Sequence, residues 1–310
     1  MTWTTGFWHG LKDDFVAALN QAYRDGGWWR NLVEATHKDG DLFIAIRDNY
    51  LNAYWRGASL MKVGYRAGEL KGEVHYKYLL HPSFGSPYLN VGPDGRVDLP
   101  ESQALLMSDI SDIAALKAAA TPYTGGEKQG VHDIIKCNAG VIDTEITLGG
   151  RDQDDNVTAP RLDFAVLQDR DDVARLVFFE AKQFSNKEIR ANGAQTPKVA
   201  EQIDTYATLL TQHREVLEES YRRVFENFLA LKGLAGSHTV RDELMRAVLD
   251  GRKRLEIDTQ PRLVIFGFDQ DQKLGRVWKP HRDKLEELLG AQNVLLKGKS
   301  GDFRRGISVL

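Results

Sequence analysis

Arg161-Leu-Asp-Phe-Ala-Val-Leu167, a polar interval from Gln168 to Asp172, and Arg175-Leu-Val-Phe-Phe-Glu-Ala-Lys182 form the stretch from which the rest of the chain is read. Both runs are rich in β-branched and aromatic residues and are bounded by turn formers, so they read as neighbouring strands. Each carries an acid among apolar residues: Asp163 in the first, Glu180 after Leu-Val-Phe-Phe in the second. Side chains alternate along a strand, which puts Glu180 and Lys182 on one face and Ala181 on the other. If the strands pair, Asp163, Glu180 and Lys182 converge. Carboxylates that lose water need compensation from opposite charge or a hard metal ion. One lysine offsets one of the two acids and leaves the cluster net negative.

The helix expected after these strands adds a second pattern. Thr196-Pro197 suits a helix start, and Gln202 and Tyr206, four apart, share a face that can look toward the acids. Asp163, then Glu180-Ala-Lys182, then Gln202-Ile-Asp-Thr-Tyr206, in the order strand, strand, helix, resembles the PD-(D/E)XK nuclease superfamily, in particular its RecB-like branch with a Gln-xxx-Tyr motif. The resemblance spans roughly residues 127–269. Pro160 stands apart from Asp163 by two residues, a departure from the tighter Pro-Asp spacing, and the cysteine cluster that holds iron and sulfur in some relatives is absent from the sequence.

The resemblance implies an α/β (α+β) chain with a restriction-endonuclease-like core. It also implies Mg²⁺-dependent hydrolysis of DNA, with Mn²⁺ able to substitute. Asp163, Glu180 and the Ala181 carbonyl would hold the ion, and Lys182 would orient the attacking water or stabilise developing charge. Glu127, from the first core helix, would add a further metal contact, with Glu145 as its competitor. Gln202 and Tyr206 would hold the substrate strand. Lys187 and Arg190, in the loop of residues 183–195, are candidate phosphate contacts. Each assignment has a plainer alternative: an ion pair between strands, a helix-dipole glutamate, a core tyrosine, a solvated loop.

Whole-chain properties set the bounds. With 310 residues, 42% hydrophobic and 27% charged, a soluble two-domain protein is expected. A net charge of −3 gives no global argument for nucleic acid, so any DNA-binding surface must be local. A lone cysteine, Cys137, excludes an internal disulfide and suits a reducing compartment. No apolar run approaches the roughly 20 residues that span a bilayer, and the first residues lack the regions of a signal peptide, so a cytoplasmic protein without membrane contact is expected. Oligomeric state is not legible.

Upstream, residues 11–35 read as one amphipathic helix or two, interrupted at Gly26-Gly27. Four short runs follow: 42–46, 50–55, 59–63 and 74–78. They are separated by Asp48-Asn49, Arg56-Gly57 and Ala67-Gly68, which reads as an antiparallel meander. Residues 82–100 hold four of the nine prolines and read as irregular, and residues 102–120 as helical. The domains are accordingly expected at 1–122, a strand-rich accessory domain, and 123–310, the nuclease domain. Within the second, residues 127–138, 196–231, 240–255 and 279–289 read as helical, and residues 141–148, 262–268 and 293–296 as strands. The first domain interleaves tyrosines with bases (Tyr50, Tyr76, Lys77, Tyr78), which suits single-stranded nucleic acid or, more simply, sheet packing. Lys297, Lys299, Arg304 and Arg305 make a basic tail. Ser59-Leu-Met-Lys62 lacks the partner motifs of acyl-enzyme chemistry, and neither a His-Glu-xx-His pattern nor a phosphate-binding glycine loop occurs.

Overall fold

Turn residues set the first sheet. β1 (Phe43–Ile46), β2 (Tyr50–Trp55), β3 (Ala58–Arg66), β4 (Glu69–His75) and β5 (Tyr88–Val91) pair in chain order, each pair antiparallel. Arg56-Gly57 and Ala67-Gly68 each place both residues at positive φ, the conformation that a two-residue hairpin turn requires to match strand twist. α1 (Asp13–Asp25) buries Phe15 and Leu19, and α2 (Trp28–Lys38) buries Trp28, Trp29, Leu32 and Val33. The two are separate helices because Gly26 and Gly27 both sit at positive φ. These observations come from a computed structural model that describes residues 6–38, 40, 42–79, 88–98, 110, 112–149, 159–191, 193, 195–234, 239–298, 302–304 and 306–307.

The meander differs from expectation at its end. The fourth strand starts earlier, at Glu69, and Tyr76–Tyr78 forms a 3₁₀ turn rather than strand. β5 lies inside the proline-rich segment, where Tyr88-Leu-Asn-Val91 alternates exposed and buried; two-residue periodicity outweighed the neighbouring prolines. Of the helix expected at 102–120, α3 (Ile113–Ala120) is present, and residues 102–109 lie outside the described residues.

The second sheet is mixed. After α4 (Gly126–Cys137), β6 (Val141–Thr147), β7 (Arg161–Arg170) and β8 (Val173–Gln183) pair antiparallel, and Asp171 takes the positive φ in the two-residue connection between β7 and β8. α5 (Lys198–Gln212) and α6 (Arg214–Ala230) follow, parted at His213. α7 (Val240–Leu249) is shorter than the expected helix of 240–255. Asp250 and Gly251, the latter at φ 75, cap it, and Arg254–Ile257 becomes β9, parallel to the start of β8. β10 (Arg262–Phe266) runs parallel to the end of β8. α8 (Gln270–Leu274), α9 (Lys279–Leu289) and β11 (Val294–Lys297), parallel to β10, complete the order. The expected basic tail is anchored instead. Lys297 is buried in β11, Asn138 donates to the Phe303 carbonyl at 2.9 Å, and Gln168 donates to that of Ile307 at 2.7 Å; Lys299 and Arg305 lie outside the described residues.

The fold is therefore mixed α/β, with an antiparallel sheet and a mixed sheet flanked by helices. By compactness the chain divides into a core unit, Met1–Trp8, Asp133–Arg222 and Thr239–Leu310, and an N-terminal unit, His9–His132 with Arg223–His238. These units part within α4 and α6 rather than at 122/123. Among the described residues no helix is long and apolar enough to cross a membrane.

Candidate active site

The β7–β8 ladder runs from Arg170 opposite Val173 to Phe164 opposite Phe179, and there it stops. One more step of the same register would set Asp163 opposite Glu180. In place of a backbone bond, Asp163 Oδ2 accepts the Ala181 N–H at 2.6 Å. Phe164 and Phe179, at the last rung, stack with ring centroids 4.8 Å apart. They point to the other face, as alternation demands, and so support the polar residues from behind. The sequence places acids on these strands, and pairing brings them to one point.

Asp163 keeps some exposed surface, but protein crowds it closely. Burial pushes its carboxyl well above the ordinary carboxylate range, and the negative charge of Glu180 adds to the rise. The Ala181 amide and Lys182 pull the other way, and Glu145 pushes up again. Lys182 offsets only part of the two negative charges, so the neutral form of Asp163 is favoured.

Lys182 Nζ lies 2.9 Å from Glu180 Oε1 and 2.9 Å from Glu188 Oε2. Burial draws its pKa down, but the two carboxylates more than reverse this, so the ammonium stays charged. Glu188 in turn lies 3.1 Å from Lys198 Nζ. Burial raises the Glu188 carboxyl, the two lysines outweigh that, and it falls below its ordinary value. The arrangement is an alternating chain, Glu180–Lys182–Glu188–Lys198, at the edge of Asp163. Sequence reasoning missed Glu188 and Lys198, because a glutamate in a polar loop and a lysine at a helix start carry no periodic signal.

From α5, the buried Tyr206 donates its hydroxyl to the Arg161 carbonyl at 2.9 Å. Burial raises its pKa, and the charges of Glu180 and Asp163 raise it further, as expected of a phenol facing the cluster. Gln202, one turn earlier, has a buried Oε1 without a hydrogen-bond partner among the described residues. Such an atom is costly unless something donates to it.

Glu127 is half-buried in the first turn of α4 and belongs to the N-terminal unit, whereas Asp163, Glu180 and Lys182 belong to the core unit. Glu145 is the acid whose charge reaches Asp163. It lies between the rungs Thr144–Phe164 and Ile146–Leu162, adopts φ 54, and pairs with Arg161 at 3.3 Å. Lys187 is exposed at the start of a 3₁₀ turn, Lys187–Ile189. Arg190 stacks its guanidinium over Phe184 and Trp278, 5.0 and 5.6 Å from their centroids, and donates to the Asn186 carbonyl at 2.8 Å.

Among the described residues no group of three or more His, Cys, Asp and Glu side chains is placed to hold a metal. A smaller all-oxygen set remains: Asp163, Glu180 and the Ala181 carbonyl. A hard ion that keeps most of its water needs only one or two carboxylates, so this set has the right chemistry. Searches of family models, of curated proteins and of solved structures gave no match to this chain.

Proposed function

We propose that the chain is a Mg²⁺-dependent nuclease that hydrolyses DNA phosphodiester bonds through a restriction-endonuclease-like core. The observation that carries this reading is the meeting of Asp163, Glu180 and Lys182 where the β7–β8 ladder ends. The order of α4, three antiparallel strands β6–β8, helices α5 and α6, and the parallel β10 also supports it.

In this reading Asp163 and Glu180, with the Ala181 carbonyl, hold Mg²⁺, or Mn²⁺ in its place. When bound, the ion would lower the pKa of a coordinated water and offset charge on the scissile phosphate. The Ala181 amide fixes one oxygen of Asp163, which would orient the carboxylate for an ion. Lys182, kept protonated by Glu180 and Glu188, is the group that stabilises negative charge building on the phosphate. Tyr206 fixes the start of β7 through the Arg161 carbonyl, and Gln202 Oε1 awaits a donor from substrate or water. DNA is the proposed partner, and the lone Cys137 suits action in the cytoplasm.

The test is incubation of linear, circular and single-stranded DNA with the protein in Mg²⁺, Mn²⁺ or chelator. Cleavage is expected with either ion and not with chelator, and it should fall by roughly a hundredfold or more in Asp163→Asn and Lys182→Ala. If folded samples of both variants cut like the parent, the assignment is wrong. The ion-paired chain Glu180–Lys182–Glu188–Lys198 favours a second reading, in which the charges only hold the loop to the sheet. That reading expects no cleavage by the parent.

A further inference from the structure

The N-terminal unit carries a row of rings and cations on the solvent face of its sheet. Leu70, Gly72, Val74, Leu89 and Val91 point inward along β4 and β5, which leaves Glu73, His75, Tyr88 and Asn90 outward. The register sets His75 beside Tyr88, and Lys62 beside Glu73. Lys62 Nζ lies 4.5 Å from the Tyr88 ring centroid and 6.0 Å from that of Tyr50. The His75 and Tyr88 rings are 5.6 Å apart. Beyond the sheet edge, Lys77 Nζ lies 5.0 Å from the Tyr123 ring. The row therefore alternates: Tyr50, Lys62, Tyr88, His75, Lys77, Tyr123.

This face is open. Tyr88 and Tyr123 are 40% and 47% exposed, unusual for such large rings. Among the described residues nothing lies within 4 Å of where a Cβ at Gly64, across from Tyr50, would stand. The cations are crowded as well: burial and then the charge of Lys128 lower the pKa of Lys77. Among the described residues neither Lys62 nor Lys77 forms an ion pair, and lysines held close against exposed rings suit a ligand with planar groups joined by anions.

We propose that this face binds single-stranded nucleic acid, with bases stacking on Tyr88 and Tyr123 and phosphates meeting Lys62 and Lys77. An exposed lysine over a ring is held more weakly than a stacked base. On binding, each lysine swings from its ring to a neighbouring phosphate and the ring takes the base. Duplex bases are already stacked on one another, so the face prefers single strands. The proposal stands apart from the nuclease reading, since it concerns the other unit and needs no metal.

The test is fluorescence anisotropy of the full chain with a labelled oligothymidylate of about 15 nucleotides, in chelator and at low salt. An oligouridylate and a duplex serve as further arms. Binding of either single strand, more tightly than the duplex, is expected. The double variant Tyr88→Ala/Tyr123→Ala should weaken it by roughly tenfold or more, and the double variant Tyr88→Phe/Tyr123→Phe, which keeps the rings, should bind like the parent. Lys62→Gln/Lys77→Gln should flatten the salt dependence by roughly 1.4 in log–log slope. Binding is read in chelator, where the nuclease reading expects no cleavage, so loss of cleavage and loss of this binding are read separately. Absence of single-strand binding by the parent, an unchanged affinity in the alanine pair, or a phenylalanine pair as weak as the alanine pair would each overturn the proposal.

Discussion

The two sheets treat charged residues in opposite ways. In the antiparallel sheet, β4 alternates strictly: Leu70, Gly72 and Val74 go inward while Glu69, Lys71, Glu73 and His75 go outward. Charge there stays in water and costs little. In the mixed sheet, β8 is buried from Phe178 through Lys182, and Glu180 and Lys182 are buried with it. Burying a charge is expensive unless it is paired and hydrogen-bonded, so these residues need a compensating arrangement that Lys62 or Glu73 does not. The contrast locates the site better than composition does: charge on an outward face is ordinary, and charge inside a buried strand requires a reason.

The sharpest way to break this contrast is to remove the same residue type from each sheet. Lys182→Ala leaves Glu180 and Glu188 without their shared cation and should cost about 3–5 kcal/mol, as for other broken buried pairs. Lys62→Ala, on the solvent face, should stay within about 0.5 kcal/mol. Urea unfolding of both, in chelator, measures the difference. Comparable losses would mean that burial is not what separates the two sheets.

Next in size is Asp163→Asn. The raised carboxyl of Asp163 means that the folded state binds its proton more tightly than the unfolded chain does. Stability from this residue is therefore greatest at low pH, and it declines as pH rises from the ordinary carboxylate range through the raised value. The asparagine variant should lose that slope and, in chelator at neutral pH, should be no less stable than the parent. Mg²⁺ should reverse the order. At a concentration about a hundredfold above its dissociation constant, the ion would stabilise the parent by about 2.7 kcal/mol and leave the variant unmoved. Thermal unfolding across pH, with and without Mg²⁺, reads both effects; a parent indifferent to Mg²⁺ would remove the metal from the account.

The smallest effect sharpens the role of α5. Tyr206→Phe deletes one buried hydrogen bond, to the Arg161 carbonyl, and should cost about 1 kcal/mol by the same unfolding measurement. A much larger cost would mean that the phenol also organises the acids it faces.

Much of this was legible in the residues. Asp48-Asn49, Arg56-Gly57 and Ala67-Gly68 marked the first three turns of the meander, because left-handed backbone needs such residues. The β7–β8 hairpin, the Gln202–Tyr206 face and the break at Gly26-Gly27 were equally local. The errors came where two local signals competed. Prolines around Tyr88-Leu-Asn-Val91 hide an alternating strand, and a long apolar pattern after Val240 hides the stop at Asp250-Gly251, so the expected helix runs on into the first half of β9. Basic residues near the C-terminus read as a solvated tail, but Asn138 and Gln168, distant in sequence, bind that segment through its carbonyls.

The sequence by itself determined the pairing strands and the acid-acid-lysine set, since alternation and turn chemistry act between near neighbours. Only the tertiary structure decided that the β7–β8 ladder stops one rung short of Asp163, that Glu188 shares Lys182 with Glu180, and that the charge of Glu145 reaches Asp163. Those facts depend on distances between side chains rather than on their order along the chain, and electrostatic energy follows distance in space.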